Sequence, residues 1–255
     1  MNKIIIIFLL ICSPFFSWAC NEELARDQLL NFQWQTEDYP PYNYRDSSGK
    51  LVGIFTEVLS LAYQELNIPL NTDKIDILPW ARLVYNMENY PEYAGFSMVT
   101  TAEREKTFQL LPLPFIVKSS IMVLKNKHAE LKGKALNDLS IAVVRGDIGQ
   151  ALLNAQNIKS KQVETTSAFS MLKMLAHNRI DAVAYAEDVA YFQFSKLAII
   201  KDTIVPIHQL DDGAYSNFIF HKDTPKCGIN LLKSAINKLD DKGKLQEVKE
   251  KYLQL

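Results

Sequence analysis

The segment TTAEREKTF, residues 100–108, contains the charged side chain with the most specific chemistry in the sequence. Arg104 carries a planar guanidinium group, which offers parallel donors to the two oxygens of a carboxylate. Thr101 lies three residues earlier, where its hydroxyl or backbone amide can donate to the same anion or its hydroxyl can cap a helical turn. Four of the nine residues are charged, so composition alone favours a solvated turn over a binding site.

Strands that alternate with helices must position these side chains. Apolar runs of strand length predict strands at residues 32–36, 92–98, 119–125, 139–145, 180–186 and 215–220. Apolar residues at helical spacing predict helices at residues 54–66, 79–90, 147–156, 167–178, 187–196, 226–240 and 243–253. This alternation is typical of α/β proteins with mostly parallel sheets. Two such blocks follow each other without a Gly/Ser linker, so we expect two lobes with a cleft between them.

The N-terminus has the parts of a secretory signal peptide. Lys3 precedes the apolar run 4–11, which is too short to span a bilayer, and Ser17 and Ala19 are the small residues before a cut after Ala19. We therefore expect residues 1–19 to be removed and the mature chain to reside in the periplasm. A lipid anchor on Cys20 is the alternative. Ser17 stands where a lipobox usually has Leu, so we favour the unanchored form.

Cysteine, histidine and charge content limit the possible partners. Cys20 and Cys227 remain in the mature chain and can form a disulfide in an oxidising compartment, although separate thiols are also compatible with the sequence. The four histidines are scattered, so we predict no metal and no cofactor. The formal net charge of −1 and the lack of a strongly basic segment make nucleic acid and anionic membranes poor partners.

An ordered set of five segments resembles a known family. The segments are DYPPYNYRDSSGKLVGIFTEVL, TTAEREKTFQLLPLPF, IAVVRGDIGQALL, NRIDAVAYAEDVA and GKLQEVKEKYL. In this order they resemble the extracytoplasmic solute-binding proteins of family 3, the polar amino-acid transport type. The resemblance implies a type II periplasmic binding protein fold, with lobe 1 at residues 20–117 plus 209–255 and lobe 2 at residues 118–208. It also implies a monomer that closes on a small polar ligand by a hinge and delivers it to an ABC transporter permease.

The resemblance assigns ligand contacts in lobe 1. Arg104 matches the arginine that binds the carboxylate of the ligand, with Thr101 beside it, and Ser97 matches another contact position. Tyr39 and Trp80 match two aromatic residues whose rings can enclose a flat or cationic group. The spacing of Trp80 also fits the apolar face of its helix, so core packing is an equal alternative.

The resemblance also assigns lobe 2 contacts, where the sequence departs from the family pattern. The segment VRGDIG, with Arg145 and Gly146, matches a loop that directs backbone amides at a helix N-terminus toward the ligand. Asp147 stands where Ser or Thr is usual. An acid there caps the helix well, but it repels a carboxylate unless Arg145 or a cationic ligand group balances it.

The acid that usually holds the ammonium group of the ligand is missing. In the family it lies five positions after the Asp of the segment xDAVxxx, which corresponds here to Ala186. Glu187 and Asp188 follow at once, but a shift of one or two residues at a strand end turns a side chain elsewhere. An amino acid held through Asp188 or Asp147, or another small carboxylate, are both compatible with this pattern.

Two other function classes share the fold. A dehydratase that acts on cyclic carboxylates would need a general acid in the cleft, for which Glu187 or Asp147 would serve. A free-standing sensory receptor would have the same ligand chemistry as a transport protein. Binding without catalysis is the main expectation from the sequence.

Overall fold

The computed structural model describes residues 20–197 and 203–253. The predicted signal peptide lies outside the described residues. The helices are α1 (Glu22–Asn31), α2 (Ile54–Glu65), α3 (Trp80–Asn89), α4 (Ala102–Thr107), α5 (His128–Leu131), α6 (Ile148–Ala155), α7 (Ala168–Ala176), α8 (Glu187–Lys196), α9 (Lys226–Asp241) and α10 (Lys244–Leu253). The strands are β1 (Gln33–Thr36), β2 (Tyr44–Arg45), β3 (Leu51–Val52), β4 (Asp76–Ile77), β5 (Tyr93–Val99), β6 (Phe108–Val117), β7 (Ser119–Leu124), β8 (Ser140–Val144), β9 (Lys161–Thr165), β10 (Ala182–Ala186), β11 (Ile204–Gln209) and β12 (Ala214–His221).

Two five-stranded sheets organise the chain. The first sheet has the order β4-β1-β5-β12-β6, and the second has the order β11-β7-β10-β8-β9. In the first sheet only β12 runs against the other strands, and in the second only β7 does so. The predicted α/β fold with two mostly parallel sheets is therefore confirmed. We call the first sheet with its helices lobe 1 and the second sheet with its helices lobe 2; the residue bounds given above for the lobes stay a prediction.

Lobe 1 is built around an aromatic core. Helix α2 buries one apolar face, as its spacing predicts, and Phe55 on that face packs on Phe96 of β5 and Phe218 of β12. We define the aromatic core as five buried side chains: Trp34, Phe55, Phe96, Phe218 and Phe220. The core lies against β1, β5 and β12, which hold the loops that carry the candidate site.

Strand β6 is an element that the sequence pattern did not reveal. It contains Pro112 and Pro114, and proline lacks the N–H that a central strand needs on both sides. β6 lies at the edge of the first sheet and pairs with β12 alone. An edge strand tolerates proline, because one of its sides forms no ladder hydrogen bonds.

Two chain segments connect the lobes, and a single side chain ties them together. The chain passes from β6 to β7 at Lys118 and returns between β11 and β12. Asp211 in the return segment accepts hydrogen bonds from the backbone amides of Ser119 and Gly213, both at 3.0 Å. Asp211 thus holds the two crossing segments together.

A disulfide joins Cys20 to Cys227, with 5.4 Å between their Cα atoms. The side chain of Gln28 in α1 adds two hydrogen bonds, to the carbonyl of Pro225 and from the amide of Gly228. These contacts hold α1 against the start of α9. Of the helices within the described ranges, none has both the length and the apolar character that a membrane crossing demands.

Candidate functional site

The charged segment that contains Arg104 forms the short helix α4. The Thr101 hydroxyl caps this helix by accepting a hydrogen bond from the amide of Arg104 at 3.2 Å. Glu103, Glu105 and Lys106 are exposed, but the Arg104 side chain turns inward and the residue is only 8% exposed. The solvated turn expected from composition therefore describes the flanking charges and not Arg104.

The Arg104 guanidinium lies at the junction of the two lobes. Its Nη1 donates to the carbonyl of Val99 in lobe 1 at 2.9 Å, and its Nη2 donates to the carbonyl of Gly146 in lobe 2 at 3.4 Å. The Oδ1 atom of Asp147 lies 3.9 Å from Nη2. Burial lowers the pKa of Arg104, and the Asp147 carboxylate opposes this shift. The group is thus a cation that both lobes enclose.

Trp80 takes part in both core packing and the interlobe contact. Its indole Nε1 donates to the Gly146 carbonyl at 2.9 Å, and its ring centroid lies 5.0 Å from the Arg104 guanidinium carbon. A cation over an aromatic face is an attractive arrangement, strongest where water is excluded. The side chain is also almost fully buried. Trp80 is thus a core residue that also contacts Arg104 and lobe 2, and its contact with a ligand stays a prediction.

The loop before α6 presents carbonyl groups rather than free amides. Gly146 has φ +71°, which residues with a Cβ rarely adopt. Its amide donates to Gln150 Oε1 at 2.7 Å, and the amide of Ile148 donates to Asp147 Oδ1 at 2.6 Å. Asp147 therefore caps α6, as expected. The sequence predicts that backbone amides of this loop bind an anion. In this conformation they instead donate hydrogen bonds within the loop and the first turn of α6, so the structure does not fit that prediction.

Arg145 and Asp188 do not join the group around Arg104. Arg145 is exposed and pairs with Glu164 at 2.8 Å, so Arg104 rather than Arg145 balances Asp147. Asp188, at the start of α8, accepts a hydrogen bond from the hydroxyl of Tyr42 at 3.1 Å. This bond links the lobes at a different point. Burial raises the pKa of Asp188.

Ser97 has a strained backbone within strand β5. Its φ is +72°, and the pairing of β5 with β12 shifts register at this residue, so Ser97 is the extra residue of a β-bulge. The side chain is buried, and its hydroxyl donates to the carbonyl of Phe96. Non-glycine residues in this region of φ carry strain, and such strain concentrates at ligand sites.

Glu37 is a buried acid that the sequence analysis missed. It follows β1 directly and is 6% exposed, and among the described residues none donates a hydrogen bond to its carboxylate. Desolvation and then the charge of Asp147 raise its pKa well above the ordinary value, while Arg104 acts in the opposite direction. An available signal was its position, because ligands in open α/β sheets bind at the carboxyl ends of strands.

Tyr39 and Tyr185 complete what we call the cleft cluster: Glu37, Tyr39, Arg104, Asp147 and Tyr185. The two tyrosine rings come from opposite lobes and meet edge to face, with their centroids 5.8 Å apart. Tyr185 precedes Ala186, which is fully buried at the end of β10 and holds no acid, as counted from the sequence. Among the carboxylates, Asp147 from lobe 2 and then Glu37 from lobe 1 have the largest charge effects on Arg104.

A groove of about 270 Å³ opens beside the cleft cluster, between the lobes. Met98, Thr101 and Arg104 contribute from lobe 1, and Gly146 and Gln150 from lobe 2. This volume is close to the lower end of the range of small-molecule sites. In the part of the chain that the structure describes, no group of three or more His, Cys, Asp or Glu side chains is placed to hold a metal ion.

Comparisons with known proteins agree with this architecture. The chain matches an amino acid ABC transporter substrate-binding protein from Streptococcus pneumoniae bound to L-arginine, with 22% identity, 89% and 95% of the two chains covered, and a TM-score of 0.74. It matches a histidine kinase sensor domain with similarity to periplasmic binding proteins, with 15% identity, 88% and 96% coverage, and a TM-score of 0.74. A third match is an ancestral amino acid-binding protein, a precursor of cyclohexadienyl dehydratase, with 17% identity, 90% and 99% coverage, and a TM-score of 0.74.

At these identities the structural matches show a shared fold. No curated protein sequence matches the chain significantly. The family model for bacterial extracellular solute-binding proteins, family 3, matches residues 34–255, which is most of the chain. The chain therefore belongs to the bacterial extracellular solute-binding proteins, family 3.

Proposed function

We propose that this chain is a periplasmic binding protein that captures a small, polar, carboxylate-bearing ligand between its lobes and delivers it to an ABC transporter permease. The observation that carries the proposal is the position of Arg104, a buried guanidinium at the contact between the lobes. Two of its N–H groups bond to backbone carbonyls, which leaves further donors for a carboxylate. Binding takes place without turnover and without a cofactor, and the protein acts as a monomer.

Hinge closure is the mechanism that fits these contacts. In the open state the ligand docks on lobe 1, where Arg104, Ser97 and Thr101 lie. Lobe 2 then closes and brings Gly146 and Asp147 to Arg104. A ligand that contacts both lobes stabilises the closed state by its differential affinity for the two conformations.

The N-terminus fits a protein that is released rather than anchored. The Sγ atom of Cys20 is bonded to Cys227. A lipid anchor on the same sulfur excludes this disulfide. Export by the predicted signal peptide and oxidation in the periplasm are therefore consistent with each other.

The test of the proposal is ligand binding by Arg104→Lys, which keeps the charge and removes the planar fork. A thermal-shift screen against amino acids, amines and small carboxylates identifies ligands, and calorimetry measures their affinity. We expect Arg104→Lys to weaken carboxylate ligands about 10- to 100-fold, the size of charge-assisted hydrogen bonds. Arg82→Ala, which removes an exposed arginine from the same lobe, serves as the matched control. Unchanged affinity in Arg104→Lys excludes Arg104 as the carboxylate contact.

A dehydratase is the second candidate, because Asp147 is a buried acid next to a cation and its pKa is raised, chiefly by desolvation. A carboxyl with a raised pKa can act as a general acid near neutral pH. Incubation of the purified protein with prephenate separates the two functions. Turnover that Asp147→Asn abolishes would establish the enzyme, and an inert protein that binds amino acids supports the binding function.

A further inference from the structure

A second contact between the lobes lies outside the cleft cluster. It joins helix α8 of lobe 2 to the β2–β3 hairpin and the residues before it, which lead into α2 of lobe 1. The hydroxyl of Tyr42 donates to Asp188 Oδ2 at 3.1 Å, and the rings of Tyr44 and Phe192 lie with their centroids 5.4 Å apart. Asp188 and Phe192 are four residues apart and therefore share one face of α8. We call these four residues the α8 contact.

Gln193, the next residue after Phe192, is a buried polar side chain without a partner. The residue is 5% exposed, and neither the oxygen nor the nitrogen of its amide has a hydrogen-bond partner among the described residues. A glutamine amide offers two donors and one acceptor oxygen, all of which water satisfies when the side chain is exposed. Buried polar groups in native proteins are nearly always hydrogen-bonded. The amide of Gln193 is therefore an exception that needs a reason.

The position of Gln193 relates its burial to the approach of the lobes. A cavity of about 460 Å³ lies between the α8 contact and the lobe 2 surface. Its lining residues include Phe169, Phe192 and Gln193 from lobe 2 and Asp38, Pro40 and Tyr44 from the opposite side. It shares no lining residue with the groove beside Arg104. When the lobes separate, the lobe 1 wall of this cavity moves away and water reaches the amide.

The amide of Gln193 and the α8 contact act on closure with opposite signs. In the open conformation water bonds to the amide, whereas in the closed conformation the amide atoms are enclosed and unpaired. Leaving a buried polar group unpaired shifts an equilibrium by roughly tenfold or more against the enclosed state. The bond from Tyr42 to Asp188 and the packing of Tyr44 on Phe192 exist only when the lobes meet, so they favour the closed state.

We propose that Gln193 opposes closure of the lobes and thereby sets the ligand affinity without contacting the ligand. The proposal rests on hinge closure, the mechanism given above for the proposed function. Because Gln193 disfavours the closed state, the protein without ligand stays mainly open. The apparent affinity for a ligand is reduced by the small fraction of protein that is closed. A residue outside the ligand groove therefore tunes how tightly the groove holds its ligand.

The experiment changes the amide in both directions. Gln193→Met keeps the length of the side chain and removes both polar atoms. Gln193→Glu keeps the shape and adds a charge, which is more unfavourable to bury than an amide. Phe192→Ala removes the ring that packs on Tyr44 in the α8 contact. Gln33→Met is the matched control, because it makes the same exchange at an exposed position of lobe 1 away from the junction.

Two measurements report on closure independently. Small-angle X-ray scattering gives the radius of gyration of each protein without ligand, which is smaller for the closed form than for the open form. Calorimetry gives the affinity for a ligand found in the thermal-shift screen. Urea denaturation of each variant verifies its fold and shows whether the substitution changes the free energy of unfolding.

We expect Gln193→Met to raise the ratio of closed to open protein about tenfold. Its radius of gyration without ligand falls toward the value of the closed structure, and ligand binds up to about tenfold more tightly. Gln193→Glu and Phe192→Ala keep the radius of the open form and bind the ligand about tenfold more weakly. Gln33→Met matches the wild type in both measurements.

Other results overturn the role of Gln193 or the proposed function separately. If Gln193→Met leaves the radius of gyration and the affinity unchanged, or weakens binding, Gln193 does not oppose closure and the proposal is wrong. The carboxylate contact of Arg104 stands in that case if Arg104→Lys still weakens the ligand. If Gln193→Met makes the protein more compact while Arg104→Lys leaves the affinity unchanged, the role of Gln193 stands and the carboxylate contact is wrong.

Discussion

The aromatic core of lobe 1 and the cleft cluster are both buried, but they differ in how their polar atoms are satisfied. In the core, Trp34 Nε1 donates to the hydroxyl of Tyr63 at 2.8 Å, and that hydroxyl donates to the carbonyl of Leu29 at 2.8 Å. In the cleft cluster, the hydroxyls of Tyr39 and Tyr185 have no partner among the described residues. The polar groups of the core are thus paired within the chain, whereas these two hydroxyls of the cleft cluster have no partner among the described residues.

The two regions are separated by very few residues along the same strands. Trp34 in β1 is a core residue, and Glu37 lies three positions further on at the carboxyl end. Phe96 in β5 is a core residue, and the next residue, Ser97, has the positive φ of the bulge. In β1 and β5, buried apolar contacts are therefore followed toward the carboxyl end by a buried acid, Glu37, and by a strained residue, Ser97.

Among the substitutions that test the difference between the two regions, one in the aromatic core should change the free energy of unfolding most. Phe218 is fully buried and packs on Trp34, Phe55 and Phe96. Phe218→Ala removes these contacts and leaves a cavity, so we expect the free energy of unfolding to fall by about 3–5 kcal/mol. Urea denaturation measures the change. Phe169→Ala, at a position that is 52% exposed, should stay within about 0.5 kcal/mol of the wild type. Equal losses in the two variants would contradict the assignment of the core.

A smaller change in the free energy of unfolding tests which buried hydroxyl groups have hydrogen-bond partners. Tyr63 and Tyr185 serve as a matched pair. Tyr63→Phe removes the hydroxyl that serves both Trp34 Nε1 and the Leu29 carbonyl, and it leaves two buried polar groups unpaired. We expect the free energy of unfolding to fall by about 1–3 kcal/mol. Tyr185→Phe removes a hydroxyl that has no partner in the described chain, so its stability should stay within about 0.5 kcal/mol of the wild type or rise. A comparable loss in both variants would show that the Tyr185 hydroxyl is satisfied within the protein.

Local pattern predicted most of the helices and the central strands, because it reflects the burial of one face, but it did not predict α1 or α5. The apolar spacing of α2 and α3 appears in the structure within one residue of the predicted bounds. Edge strands were harder to predict. β6 contains two prolines and β9 is partly exposed along its length, so neither has the uniform apolar pattern of a central strand. Their assignment depends on which strands lie beside them, information that no short window of sequence contains.

The candidate site was predictable where it depends on short sequence segments and not where it depends on contacts between the lobes. Arg104 and Asp147 were found from segments that resemble the family, and the lack of an acid at Ala186 was found by counting. Glu37 falls between the predicted strand 32–36 and the family segment that begins at Asp38, and the sequence analysis gave it no role. Asp147 of lobe 2, whose charge acts on the buried Glu37 carboxyl group, lies more than a hundred residues away in the sequence. The sequence suggested Arg145 or a cationic ligand group to balance Asp147, but Arg145 pairs with Glu164 and Arg104 lies beside Asp147, because sequence proximity does not determine side-chain direction.

The smallest expected effect concerns the pH dependence of stability, to which Glu37 contributes with a defined sign. Burial raises its pKa in the folded protein above the ordinary value of 4.5. Between the ordinary pKa of 4.5 and the higher pKa in the folded protein, the folded chain holds a proton that the unfolded chain has released. The free energy of unfolding therefore falls as the pH rises through this window. Glu37→Gln does not titrate and avoids this loss. We expect the variant to match the wild type near pH 4 and to be more stable than the wild type at pH 7. Urea midpoints measured across this range test the difference.

Asp147, whose pKa is also raised by desolvation, keeps a residual slope of the same sign in the variant. Parallel curves of stability against pH for the wild type and Glu37→Gln would mean that the pKa of Glu37 is the same in the folded and unfolded chain. The cleft cluster would then differ less from the aromatic core than the burial of Glu37 indicates.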